Sequence, residues 1–343
     1  MKFLFNVILM FYKSILYENL TRDRVQCNIC NHNCIIDLDS YGLCKTRLNK
    51  GGTLYSIIYG QLSAMSVDPI EKKPFYHYHP NTLAYSIGGF SCNMSCLACQ
   101  NYHISQFLPE NMNLNNILPP AIVENAVKTK SSSIAYTYNE PTMFIEYVIE
   151  SSKLAHKKKI NNLYISNGYM TEEALEYLLK YIDAFNIDLK FFSNNTYQKY
   201  SDASLDEILN NLITIYESKA HLEITNLLIN DLNTDEKMIK ALINFIKEQL
   251  DIEVPLHFSR AFPHYKMLNI RPTNPQSLIN AYNIGKDMGL EYVYLGNTEF
   301  HQNSYCPKCG ELLIKRNGYA VSDLGKIDNN KCSKCGYKLN LGV

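Results

Sequence analysis

Between residues 83 and 295, short apolar β-rich runs alternate with longer stretches of helical periodicity, and no other feature constrains the fold as strongly. The predicted strands fall at 83–88, 133–138, 162–166, 185–189, 222–229, 255–259 and 292–295. Helical patterns lie between them, for example at 142–158, 171–181, 235–250 and 275–288. Thr171 opens one of these, with Glu172 and Glu173 favouring its positive end. Strands separated by helices make a parallel sheet from βα units. Six or seven units predict an α/β fold, a full or partial (β/α) TIM-like barrel whose chemistry sits where strands end. At 343 residues the chain has room for such a core at 81–300, a small N-terminal cysteine-containing lobe at 1–80 and a C-terminal zinc-ribbon-like tail at 301–343.

The eleven cysteines form three groups: Cys27, Cys30, Cys34 and Cys44; Cys92, Cys96 and Cys99; Cys306, Cys309, Cys332 and Cys335. An odd total at short spacings speaks for metal ligation in a reducing, cytoplasmic setting rather than for a secreted disulfide framework. The central group reads Cys-x3-Cys-x2-Cys directly after the first predicted strand. Thiolates suit iron–sulfur clusters, and an ordinary cubane takes four of them. Three leave one iron open, and an open position lets a metal site bind and activate a small molecule. The competing readings are a zinc knuckle that borrows His103, or three thiols buried as small apolar groups.

Lys and Arg total 33, balancing 33 Asp and Glu, so no whole-molecule field draws the chain to nucleic acid or anionic membranes. The apolar run from Phe3 to Tyr12 is interrupted by Asn6 and is shorter than the ~20 residues of a spanning helix. It predicts an amphipathic helix packed on the body, with no membrane span.

Several longer segments flank the central motif: Gly51-Gly52-Thr53-Leu54-Tyr55, Asp68-Pro69-Ile70-Glu71-Lys72-Lys73-Pro74-Phe75-Tyr76-His77 and Cys99-Gln100-Asn101. Further on come Tyr136-Thr137-Tyr138-Asn139-Glu140-Pro141, Ser166-Asn167-Gly168-Tyr169, Asp188-Leu189-Lys190, His257-Phe258-Ser259-Arg260 and Gly296-Asn297. On these residues the chain resembles the radical S-adenosylmethionine (SAM) superfamily. Within it, the chain resembles the pyruvate formate-lyase-activating-enzyme-like proteins of the AmmeMemoRadiSam system, from Cys27 to Cys335. The resemblance implies a [4Fe-4S] cluster on Cys92, Cys96 and Cys99, with SAM chelated at the open iron. One electron then breaks the sulfonium C–S bond, and a 5′-deoxyadenosyl radical takes hydrogen from a substrate that can itself be a protein. An electron donor such as flavodoxin or ferredoxin is implied, as are Memo-type and AMMECR-type partners.

The same resemblance gives roles to the strand-end residues. Asn139 and Glu140 stand where the superfamily commonly holds the SAM amino group, and an ionised carboxylate meets an ammonium well. Ser166 and Asn167 correspond to ribose or carboxylate contacts, and Asp188, Lys190, His257, Ser259 and Arg260 end later strands. Their blander reading is barrel-internal ion pairing and capping. Ala98 departs from the aromatic residue often found before the third cysteine, which leaves Tyr102 or later backbone to cover adenine.

Cys306-x2-Cys309 and Cys332-x2-Cys335 match a closed structural zinc site. Cys27-x2-Cys30-x3-Cys34-x9-Cys44 suits zinc or an auxiliary iron–sulfur cluster, and His32 inside it is expected to face solvent, the alternative being that it replaces a cysteine as ligand. The run from Asp68 to Pro80, mixing lysines with aromatics, is read as a solvated loop or as a partner surface near the barrel mouth. A glycyl-radical-enzyme activase is the second enzyme reading. The third is a zinc-ribbon nucleic-acid-binding protein, which leaves Cys92, Cys96 and Cys99 unexplained.

Overall fold

A computed structural model describes residues 11–106 and 116–342. Its largest element is an eight-stranded sheet: β1 (Ala64–Pro69), β2 (Leu83–Gly88), β3 (Ser133–Tyr136), β4 (Asn161–Ser166), β5 (Ala184–Asp188), β6 (His221–Leu228), β7 (Leu256–Arg260) and β8 (Val293–Gly296). Neighbours in sequence are neighbours in space, and every pairing is parallel except β1 with β2. Among the described residues the edge strands β1 and β8 do not pair with each other. Strand β3 is buried throughout, as expected of a parallel strand covered on both faces.

Helices fill the connections: α1 (Tyr102–Ser105), α2 (Pro119–Lys128), α3 (Ile145–Lys157), α4 (Glu172–Leu178), α5 (Asn194–Ser201), α6 (Leu205–Glu217), α7 (Glu236–Gln249) and α8 (Pro275–Asp287). Helix α7 shows why. Asp235 caps it by accepting from Met238 N at 2.9 Å, and Ile239, Leu242, Ile243 and Ile246 recur at helical spacing to form its buried stripe. Thr171 caps α4 through Ala174 N, as its position in the sequence predicts.

Two expectations change here. The segment 64–80, assigned by sequence to the N-terminal lobe, adds strand β1 to the main sheet. The Asp68 to Pro80 run is inner wall rather than solvated loop: Glu71, Lys73, Phe75, Tyr76, His77 and Tyr78 are all buried, and of its two lysines Lys72 alone reaches solvent. Lys73 and Asp68 are tolerated inside because they pair, Lys73 Nζ standing 2.7 Å from Asp68 Oδ2.

Before β1, two small antiparallel sheets carry the first cysteine group; after β8, short hairpins carry the last. The helix predicted from Phe3 lies outside the described residues up to Met10, and Tyr12 belongs to a short strand paired with Thr53–Ser56. No helix among the described residues is long and apolar enough to cross a membrane. All eleven cysteines are free thiols.

Candidate active site

The carboxyl ends of the parallel strands open onto one cavity of about 1100 Å3. Cys92, Cys96 and Cys99 line it, and so do Asn139, Glu140, Ser166, Asn167, Asp188, Lys190, His257, Ser259 and Arg260. The parallel sheet brings these together because each stands at or just beyond a strand end.

The cysteine loop is tied down from several sides. Asn139 holds both shoulders of its first turn, accepting from Gly89 N at 2.9 Å and donating to Ser91 O at 2.7 Å. Asn101 Nδ2 donates to Tyr138 O, while Ser95 N and Leu97 N donate to the carbonyls of Ser201 and Tyr200 at the end of α5. Any side chain at Gly89 would place its Cβ 2.5 Å from the Phe144 ring, so only glycine lets the loop leave the sheet here. Ser91 and Tyr138 adopt φ of 70° and 72°, a left-handed conformation that non-glycine residues keep only where surrounding bonds impose it.

Donors surround the first thiol. Met94 N and Asn167 Nδ2 reach Cys92 Sγ at 3.4 and 3.6 Å. Burial, then the Glu140 carboxylate and the neighbouring thiols, push the Cys92 pKa well up, so its proton is released when a cation displaces it. Lys190 lies near the other two thiols. Burial opposes its charge, but the Asp188 carboxylate at 2.8 Å and Cys96 outweigh this and hold it as an ammonium.

Glu140 is buried and bridges two strand ends. Its Oε1 accepts from Thr142 N, Thr142 Oγ1 (2.6 Å) and Ser166 Oγ (2.8 Å), and its Oε2 accepts from Asn167 N at 2.9 Å. One acceptor position on Oε2 remains free. The side chains of Asn139, Ser166 and Asn167 are thus engaged with protein groups while still lining the cavity. His257 also faces inward to a carboxylate, its Nε2 lying 2.6 Å from Glu223 Oε2. The Arg260 Nε donates to Thr273 O, leaving its guanidinium at the cavity edge over Phe262.

Sequence reasoning missed several groups. Glu223 is fully buried and gathers His221, His257 and the backbone N–H groups of Tyr76 and His77; a lone charge inside the apolar 222–229 run was the available signal. Lys73, by contrast, belongs to the run that the sequence places near the barrel mouth, and it lines the cavity beneath the Tyr138 ring. Tyr319, from the C-terminal hairpin, also reaches the cavity, and nothing local in the sequence foretells it. The expected alternatives at Tyr102 and His103 find no place: both are exposed and neither lines the cavity, with Tyr102 stacked instead on Tyr265. Leu97, Ala98, Phe191, Leu227, Ile229 and Met267 supply the apolar wall.

The other cysteine groups differ in geometry. At the C-terminus, Cys306 and Cys335 sulfurs lie 3.5 Å apart, and those of Cys309 and Cys332 3.7 Å. Two matching turns build this site, Gly310 N donating to Cys306 O and Gly336 N to Cys332 O. Burial works against ionising Cys332, but backbone donors and the neighbouring thiols bring it down to about 7. The N-terminal group lies against the central loop. His32 Nε2 donates to Asn93 O at 2.6 Å, which corrects the solvent-facing reading, and Ser91 Oγ donates to Cys44 O at 2.5 Å.

The family model of the radical SAM superfamily matches residues 87–246, which span the cysteine loop and the ends of β3, β4 and β5. The uncharacterized protein MJ0808 of Methanocaldococcus jannaschii is 36% identical over 332 residues, covering 96% of this chain and 99% of the relative. The chain belongs to the radical SAM superfamily. As a radical SAM enzyme it belongs to a class that uses a [4Fe-4S] cluster and SAM. Its fold is similar to a domain of pyruvate-formate lyase-activating enzyme from Bacteroides vulgatus (21% identity, 48% of this chain and 99% of that chain, TM-score 0.42). It is also similar to Streptococcus suis SuiB bound to S-adenosylmethionine (14% identity, 63% of this chain and 52% of that chain, TM-score 0.48).

Proposed function

We propose that Cys92, Cys96 and Cys99 hold the [4Fe-4S] cluster of this radical SAM enzyme, and that SAM and the reacting part of a substrate share the cavity above it. The observation that carries this reading is the convergence of three thiols and the strand-end polar residues on one cavity at the carboxyl edge of a parallel sheet. The donor set fits: three thiols, with amide donors at Cys92 and an ammonium near Cys96 and Cys99, suit an anionic thiolate-bound cluster. When bound, the cluster supplies the electron that splits SAM into methionine and a hydrogen-abstracting radical.

The chain's own residues divide the remaining work. Asn139 and Asn101 fix the loop, and Asn167 donates to the Cys92 sulfur. The free position on Glu140 Oε2 accepts from the SAM ammonium, the Lys190 ammonium and Arg260 meet carboxylate or hydroxyl groups, and the apolar wall excludes water from the reacting centre. At about 1100 Å3 the cavity stands at the upper end of the ~300–1000 Å3 typical of small-ligand sites, in keeping with a bulky cofactor beside a substrate group.

The substrate belongs to, or is presented by, a macromolecule, in keeping with an exposed Tyr319 at the cavity and Lys72 on its outer side. Memo-type and AMMECR-type proteins, with flavodoxin or ferredoxin as electron donor, are the partners to test. Closed by thiols at single-ion spacing, the C-terminal quartet holds structural zinc.

Anaerobically purified protein should bind iron and sulfide, show a reduced-cluster electron paramagnetic resonance signal that SAM perturbs, and release 5′-deoxyadenosine. Cys92→Ala, Cys96→Ala and Cys99→Ala should each abolish that release. Retained cleavage in any of the three would overturn the assignment.

A further inference from the structure

His257 stands on β7 two residues before Ser259, so both side chains point to the same face of the sheet, and both line the cavity. Thr225, its register partner on β6, lines the cavity beside it. The imidazole is held from three directions: the Tyr76 ring meets it edge-on at 4.8 Å, the Tyr294 ring stacks at 5.3 Å, and Glu223 Oε2 lies 2.6 Å from Nε2. Glu223 is kept ionised by the N–H groups of Tyr76 and His77 and by the Nε2 atoms of His221 and His257. A carboxylate only accepts, so Nε2 carries the proton and Nδ1 the lone pair.

Nδ1 has no hydrogen-bond partner among the described residues, yet it is not one of the polar atoms sealed inside the protein without one. It therefore opens on the cavity that His257 lines. His77 shows what a structural histidine looks like here: its two ring nitrogens are taken by Asn340 O and Tyr294 Oη, and it does not reach the cavity. Among the described residues His257 is the one histidine on the cavity wall. A buried carboxylate behind an imidazole whose other nitrogen faces a reaction space is the arrangement that makes a base.

Hydrogen-atom abstraction carries its proton and electron together and calls for no base. An oriented base in the same cavity is accounted for when the substrate also gives up a proton. We infer that His257 is a general base that takes, through Nδ1, the hydroxyl proton of an alcohol substrate, the hydroxyl being carried by the carbon whose C–H bond is broken. This rests on the radical SAM reading of the cavity. The hydrogen atom leaves with one electron of the C–H bond, and the O–H proton goes to Nδ1. The O–H electron pair stays on oxygen, so a ketyl radical anion and an imidazolium paired with Glu223 result, with no further oxidant or reductant. Removing that proton weakens the adjacent C–H bond, and an α-hydroxy radical is far more acidic than its parent alcohol. A neutral amine in the same place is too weak an acid for imidazole.

Two measurements on the native chain read the base without turnover. In the anaerobically purified, 15N-histidine-labelled protein with its cluster oxidised, two-bond 1H–15N spectra should show His257 as the Nε2–H tautomer, its signal being the one lost in His257→Gln. An Nδ1–H tautomer would overturn the inference. Diethyl pyrocarbonate, which attacks unprotonated imidazole, should modify His257 and spare His77 by mass spectrometry. A His257 left untouched while the exposed His103 reacts would also overturn it. His257→Gln can still donate to Glu223 but offers no basic atom, so 5′-deoxyadenosine release stimulated by cell extract should fall at least about 100-fold. Native-like stimulated release in that variant would refute the role, and the native-chain measurements stay decisive if it misfolds. Failure of the cysteine variants to stop SAM cleavage would sink the cluster assignment and leave the tautomer and modification results as they are, so the two readings fail separately.

Discussion

The Asn167 side chain donates from Nδ2 both to Cys92 Sγ, at 3.6 Å, and to Asn93 Oδ1, at 2.8 Å, so one amide at the end of β4 reaches a thiol on the loop after β2. Hydrogen bonds to a cluster sulfur stabilise its more negative, reduced state. Asn167→Ala should therefore lower the midpoint potential of the SAM-binding cluster while leaving its iron content near native. Asn139→Ala should instead reduce iron content, because it releases the turn at Gly89 and Ser91. Redox titration followed by resonance, with iron analysis alongside, separates the two. Identical behaviour of both variants would contradict the division between tuning and positioning.

For the tail, Cys306→Ser should lower zinc content and the unfolding temperature while sparing the iron signal of the folded fraction. A structural metal contributes directly to folding, so the thermal shift should be several degrees. Loss of iron with zinc retained would show that the C-terminal quartet is not a zinc site.

Acid stability should depend on Glu223. Burial would raise its pKa, but hydrogen bonds and charge from His221 and His257 hold it well below the usual carboxylate value. A depressed folded-state pKa stabilises above the unfolded value of ~4.3, and the contribution is lost as pH falls from there toward the folded pKa, at up to about 1.4 kcal/mol per pH unit. Urea midpoints should accordingly drop below about pH 4.5. In Glu223→Gln, starting from a lower stability at neutral pH, that part of the slope should vanish. An unchanged slope would mean that other carboxylates control the acid limb.

The two adjacent lysines should part company. Lys72→Glu, at a half-exposed position, should weaken turnover stimulated by a macromolecular partner without affecting cluster assembly. Lys73→Met removes a buried partner of Asp68 and should destabilise by ~3–5 kcal/mol, reduced to the extent that Lys72 and Tyr138 still pair the carboxylate. Urea unfolding and partner-dependent 5′-deoxyadenosine release measure the two effects. A native partner response in Lys72→Glu would remove this face from the substrate surface.

Local spacing alone was enough to place strands β2 to β8 within a residue or two, to cap α4 at Thr171 and to group the cysteines four, three and four. Periodicity and ligand spacing are short-range properties, and burial of each apolar run needs no knowledge of its neighbours. What the sequence could not express is which polar atoms would face each other across the sheet. Asn139, Ser166 and Asn167 line the cavity and are also bonded to the cysteine loop and to Glu140, because parallel strands from separate βα units end side by side. Lys73, from the segment between β1 and β2, and Tyr319, from the C-terminal hairpin, reach the same cavity only through packing between distant parts of the chain, and Glu223 stands behind it, bonded to His257. The difference between the two cysteine quartets is likewise tertiary. The turns at 306–309 and 332–335 bring four sulfurs within 4.8 Å of one another only because the segments that carry them pack together, whereas the four thiols between 27 and 44 are not gathered so closely.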